Sequence, residues 1–402
     1  ETAAPTEIIA SPSVIAAPAE VAPVEAAPAE VAPGSHSSAT DTPPALSPVE
    51  TAAPVQVAAA PELQALDRQV ENQIDTGNVS DAIGSLENLY AQELSNSIGQ
   101  DLTDSPNSVD QFQDRLQDIE AQTGKKSAIV YVIARADWLD LIVLTADGEP
   151  IYHRVTDAPQ AQLVPSIREL RVNITNPRQR GTRSYLNAAQ KLYEWIVAPI
   201  EDDLEKHQID VLLFSMDGGL RSIPIAALHD GDRFLVEKYS LGLIPSINLT
   251  DTSYESLQNA SVLAMGASEF KNQPPLPAVP IELSAIVRNS SEISPLGING
   301  LWQGRSFLNE DFTLNNLKAQ RDAHPYRIVH LATHAEFQSG RTGAAYIQFW
   351  DSKLTVDRLR LLTQNESPIE LLVLSACRTG VGDDDSMELG FAGLAVQAGV
   401  KS

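Results

Sequence analysis

Four compact apolar runs constrain this chain most: VLLFSM (211–216), SVLAMGA (261–267), YRIVHLATH (326–334) and ELLVLSA (370–376). None alternates apolar with polar residues, so each suits a strand covered on both faces. Helical patterns lie between them, near 281–288 and 311–320. Strands spaced by helices predict an α/β chain: a three-layer sandwich with a mostly parallel central sheet that takes in all four runs. In such sheets, sites form outside the carboxyl ends of the strands. Upstream, SAIVYVIA (127–134) and WLDLIVLTADGEPIYHRV (138–155) read as further strands, with Asp147-Gly148 as a hairpin turn. Leu186, Ala189, Leu192, Tyr193, Ile196, Val197, Ile200 and Leu204 then line one broad face of an amphipathic helix.

The N-terminal part is built differently. Residues 1–60 are mostly Ala, Pro, Val, Ser and Glu, and AAPAEVAP occurs at both 16–23 and 26–33. Frequent proline blocks helix interiors and sheet ladders, and few large apolar residues offset the entropy of ordering. The composition predicts a disordered, partly extended linker. Residues 61–125 read as helical and polar. Ile83, Leu86, Leu89, Tyr90 and Leu94 recur at helical spacing. A second helix opens on a Ser108–Gln111 capping box and closes at Gly124. Strand-rich texture begins at 126. The chain starts with Glu1 and shows no basic segment followed by an apolar one, so the expectation is a fragment or a processed product.

Charge and cysteine content exclude several functions. With 28 Lys+Arg against 53 Asp+Glu, the formal net charge is −25, which argues against a nucleic-acid partner. A single cysteine rules out an internal disulfide framework and a cysteine-cluster metal site. No apolar stretch is long enough to span a membrane. The G-x-S-x-G elbow of serine hydrolases does not occur. Cysteine phosphatase chemistry needs an arginine six residues after the nucleophile, where this chain has Asp383. TGKKS (123–127) lacks the glycine and the preceding strand of a phosphate loop.

That cysteine, Cys377, follows directly on the last apolar run, and His334 closes the run before it. Free cysteine is often a packed apolar group. Two parallel central strands would, however, bring His334 and Cys377 out on one sheet edge, where an imidazole can activate a thiolate. This placement favours a nucleophile. His330, inside its run, reads as a packed core histidine, and His153, His207, His229 and His324 read as surface residues.

IVHLATHAEF, LLVLSACRTGVG and ELGFAGLAVQAGV, with the upstream segment LYEWIVAPIEDDLEKHQIDVLLFSMDGGLRSIPIAALHDGDRFLVEKYSLGLIPSINL, closely resemble the CHAT domain family. These are bacterial caspase- and separase-like domains, often joined to tetratricopeptide repeats. The likeness covers about 180–402 and continues more weakly from 126, which divides the chain into a linker (1–60), a helical region (61–125) and a CHAT domain (126–402). No tetratricopeptide array is visible in 61–124. The resemblance implies a cysteine endopeptidase acting on a protein or peptide, with His334 and Cys377 as its dyad. It implies an oxyanion hole from the backbone N–H groups of Cys377 and Ala335, and no metal or cofactor. Caspases have glycine after the histidine, whereas Ala335 fits the CHAT group. A catalytically silent scaffold that binds a partner is the alternative. Asp383, Asp384 and Asp385 follow the nucleophile and favour a basic residue at the cleaved bond, and Arg341 and Arg378 favour an acidic one. CHAT domains continue past AGV into another strand, so the expectation is a domain whose C-terminal part is missing. Oligomeric state stays open, as does the choice between a cytoplasmic protein and part of an exported multidomain one.

Overall fold

The computed structural model describes residues 61–98, 108–179, 181–288, 300–336, 346–355, 368–377 and 400. The described elements begin with three helices, α1 (Pro61–Asp75), α2 (Val79–Ile98) and α3 (Val109–Thr123). The third is bounded as its sequence predicts. The Ser108 hydroxyl accepts from the Gln111 N–H at 3.4 Å, while Gln111 Oε1 accepts from the Ser108 N–H at 2.8 Å. Gly124 ends the helix in the left-handed region, at φ 68°.

Strands β1 (Ser127–Ala134), β2 (Leu139–Leu144) and β3 (Ile151–Val155) come next, then helices α4 (Gln160–Thr175), α5 (Leu186–Ile196) and α6 (Glu201–His207). The amphipathic face over 186–204 is therefore not one helix. A 3₁₀ turn at Ala198–Ile200 divides it, because Pro199 has no N–H to donate and its ring crowds the preceding turn. The apolar face survives the break: Leu192, Ile196, Val197, Ile200 and Leu204 are all fully buried.

Strands β4 (Val211–Met216) and β5 (Ser240–Leu243) complete the first sheet, whose order is β3-β2-β1-β4-β5. β4 is parallel to β1 and β5, while β2 is antiparallel to β1 and β3. Helices cover both faces. Val130, Val132, Leu141 and Phe214 pack against α4, α5 and α6, while Ile129, Tyr131, Ile133 and Ile142 pack against α1, α2 and α3.

The second sheet is formed by β6 (Val262–Gly266), β7 (Gly304–Leu308), β8 (Ile328–Glu336), β9 (Tyr346–Gln348), β10 (Lys353–Thr355) and β11 (Leu371–Cys377), with helix α7 (Val279–Ile286) after β6 and α8 (Leu314–Ala323) before β8. Its order is β10-β9-β8-β6-β7, and β11 also pairs with β8. β7, β6, β8 and β11 run parallel, and β9 and β10 are antiparallel additions. One face, with Val262, Ala264 and Ala332, packs under Val279 and Leu283 of α7. The other, with Leu263, Met265, Val329 and Leu331, packs on Phe312 and on Leu317 of α8.

The fold is mixed α/β, with two mixed sheets in place of the single central one. The run 211–216 belongs to the first sheet and the other three runs to the second. An apolar run specifies burial on both faces but not its partner. β1, which is equally apolar, takes β4 as a parallel neighbour in the first sheet.

Candidate active site

β8 and β11 are mainly apolar along their shared length, and they pair in parallel from Ile328↔Leu371 to the last matched position, His334↔Cys377. The two residues thus stand in register at the carboxyl ends of adjacent strands. β8 is buried from Ile328 to Thr333, and exposure begins at His334. Strand residues alternate between faces, so His330, Ala332 and His334 share the side on which α7 packs.

The approach of α7 to this edge depends on a glycine. A Cβ at Gly266 would lie 2.5 Å from the Ala332 carbonyl oxygen and 2.8 Å from Val279 Cγ1. Its absence lets β6, β8 and the start of α7 close together. The connection from β6 to α7 is pinned at its base, where Asn309 Oδ1 accepts from the Ser268 N–H at 2.8 Å and the Leu276 N–H donates to the Ser268 carbonyl at 2.8 Å.

This connection reaches over His334. The imidazole Nε2 lies 2.8 Å from the Pro274 carbonyl oxygen, and Phe270 meets the ring at an angle of 61° with centroids 4.6 Å apart. A carbonyl oxygen only accepts, so Nε2 carries the hydrogen. In the neutral ring Nδ1 is then the nitrogen left to take a proton.

The profile of the CHAT domain matches residues 186–402, more than half of the chain. The chain belongs to the CHAT domain family. CHAT domains are caspase-like and related to peptidases, and the two mixed sheets with their helices are consistent with a caspase-like α/β fold. The matched span runs from α5 through the paired His334 and Cys377. Comparison with curated proteins gives no match.

The other histidine of the CHAT segment, His330, is buried as expected, but it is not merely packed. Its Nε2 lies 2.9 Å from Glu282 Oε1 of α7. The Glu282 carboxyl sits below the ordinary carboxylate range. The hydrogen bond from His330 is the main cause, opposed by partial desolvation and reinforced by the nearby Ser375 hydroxyl.

Ala335 is buried, and its backbone pairs with Ile347 of β9. Asp383, Asp384, Asp385, Arg341 and Arg378 lie outside the described residues. Among the surface histidines expected from sequence, His324 is exposed and half-buried His153 lies 2.8 Å from Asp203. His229 is instead buried, with its Nδ1 accepting from the Gly231 N–H at 2.9 Å and its ring against Phe234. Among the described residues no group of His, Cys, Asp and Glu is placed to hold a metal, and no helix is long and apolar enough to cross a membrane.

Three residues at this edge escaped the sequence reading: Pro274, Phe270 and Glu282. Pro274 acts through its backbone, which no side-chain pattern reports. Glu282 did carry a signal, as the one charged residue in the apolar helix VPIELSAI that covers the sheet.

Proposed function

We propose that this CHAT domain is a cysteine endopeptidase using Cys377 as nucleophile and His334 as general base and acid. The observation that carries the reading is the register of His334 with Cys377 at the carboxyl ends of two adjacent parallel strands. In the reaction, the Cys377 thiol gives its proton to His334 Nδ1, and the thiolate attacks the scissile carbonyl carbon. His334 then protonates the departing amine, leaving an acyl group on sulfur as a thioester. Water adds to the thioester, losing a proton to His334, and the freed thiolate regains it. The Pro274 carbonyl keeps Nε2 protonated and turns Nδ1 toward the transfer. The developing oxyanion is received by the backbone N–H groups of Cys377 and Ala335, each such donor being worth about 3–4 kcal/mol in comparable sites.

The domain taking part extends upstream of the matched span. β1 pairs along its length with β4, which supports a boundary near 126. The substrate is a protein or peptide, and the acidic stretch 383–385 favours a basic residue at the cleaved bond.

The chain has one cysteine, so alkylation of the whole protein reports that thiol alone. A peptide chloromethyl ketone or iodoacetamide is expected to label wild-type protein rapidly near neutral pH, and at least tenfold more slowly after His334→Ala. Cys377→Ala is expected to abolish peptide cleavage. Labelling that is slow and independent of His334, with no cleavage of a peptide library, would leave the scaffold reading in its place.

A further inference from the structure

We infer that Glu282 is a positioning residue that holds β8 and β11 in the register needed by His334 and Cys377. The inference rests on the peptidase reading above for its consequence, but its geometry is separate. α7 lies over the second sheet through Val279 and Leu283, and Glu282 is its one charged side chain. The carboxylate takes a hydrogen bond from His330 on β8, at 2.9 Å, and lies close enough to Ser375 on β11 for its hydroxyl to help hold the carboxyl charged. A carboxylate has room for both donors. His330 lies four residues before His334, and Ser375 lies two residues before Cys377. One group on a third element therefore ties together the two strands that end in the dyad.

The tie matters because of how β11 is held. Its side chains from Leu371 to Ala376 are only half-buried, so burial restrains it less than β8. A slip of one residue between strands exchanges the faces of every side chain. A slip of two keeps the faces but places Ser375 opposite His334. Apolar contacts to Leu372 and Leu374 oppose the first error, since those residues pack on the α8 side of the sheet. They oppose the second weakly. Glu282 opposes it directly, because Ser375 would move about 6.6 Å along the strand and lose the carboxylate.

The test uses the whole chain and the variants Glu282→Ala, Glu282→Gln and Ser375→Ala. Glutamine can accept from His330 through its oxygen and donate to the Ser375 hydroxyl through its amide, so it preserves the tie without the charge. Glu282→Ala is expected to lower kcat and the rate of Cys377 alkylation about 10- to 100-fold, the value of hydrogen bonds to a charged group, with KM nearly unchanged. Ser375→Ala should show a smaller loss, and Glu282→Gln should return both rates to within about threefold of wild type. Amide hydrogen exchange should quicken in 371–377 in Glu282→Ala and recover in Glu282→Gln. Wild-type exchange in β11 of folded Glu282→Ala, or a glutamine variant as impaired as the alanine one, would overturn the inference. If Glu282→Ala does not fold, wild-type kcat and exchange in Ser375→Ala overturn it instead. If wild-type labelling proves independent of His334, the peptidase reading fails, and the exchange experiment still decides the role of Glu282.

Discussion

Asp217 offers a sharp physical test of how the first sheet is built. It follows β4 and, although half-buried as a residue, its carboxylate is enclosed. Tyr90 Oη donates to Oδ1 at 2.9 Å and the Ala134 N–H donates to Oδ2 at 2.7 Å. Burial raises its pKa from 3.8 to about 6, against the pull of those donors and of Arg135. The folded state therefore binds a proton that the unfolded state has released. Stability from this group is fully present below about pH 4 and is lost as pH rises through about 6. Each pH unit of separation is worth about 1.4 kcal/mol. Allowing for the residue's partial exposure, the loss amounts to about 1–3 kcal/mol. In Asp217→Asn the amide oxygen can accept from Ala134 and the amide N–H can donate to Tyr90 Oη, so the contacts persist without the titration. Urea denaturation of both proteins from pH 4 to pH 7 measures the difference, and the other carboxylates cancel. The stability of wild type relative to Asp217→Asn should fall by about 1–3 kcal/mol over that window. A difference that is flat, or that rises with pH, would refute the argument.

Other substitutions probe the second sheet and the caps. Gly266→Ala forces a Cβ toward the Ala332 carbonyl and Val279; it should cost about 1–3 kcal/mol and also slow Cys377 alkylation, read by denaturation and labelling on one sample. Phe270→Ala removes the ring packed on His334, and should slow alkylation about three- to tenfold with little change in melting temperature. Ser108→Ala removes the capping hydroxyl of α3 and should cost about 1 kcal/mol while leaving alkylation unchanged.

What could be read from sequence was local. The cap of α3 needs only Ser108, Gln111 and Gly124, and all three act within one turn of chain. The strand-end positions of His334 and Cys377 followed from the apolar runs before them, since a run ending in a reactive residue delivers it to a sheet edge. Partner choice was not local. VLLFSM carries the same signal as ELLVLSA, yet one joins β1 and the other β8. Pro199 stood in plain view, but the continuous apolar face over 186–204 hid the break it makes. The burial of His229 depends on Phe234 reaching it from across a turn, which its loop setting did not reveal. The Pro274 carbonyl depends on the path of a loop, and that path depends on contacts with Asn309, a distant residue.

The two sheets meet the same architectural situation and resolve it in opposite ways. Each has adjacent parallel strands whose carboxyl ends bring polar groups together: β1 with β4, and β8 with β11. In the first sheet the ends are closed by helices. Tyr90 of α2 donates to Asp217, Arg135 donates to Asp67 of α1 at 2.8 Å, and Arg221 donates to Glu93 of α2 at 3.3 Å. Such groups are committed to one another, and their titration shows up as stability. Among the described residues, what lies over the corresponding edge of the second sheet is the loop between β6 and α7. Among the described residues His334 is oriented by the Pro274 carbonyl and the Phe270 ring, and it is the first residue of β8 that is not fully buried. An imidazole held that way keeps a nitrogen for exchange of protons with a neighbour. The contrast supports the proposed chemistry at the second edge and assigns architecture to the first, although both edges carry ionisable residues. It also agrees with the role inferred for Glu282, because α7 does below the proposed dyad what α2 does at the end of β4: it ties polar groups down so that those beyond them can remain available.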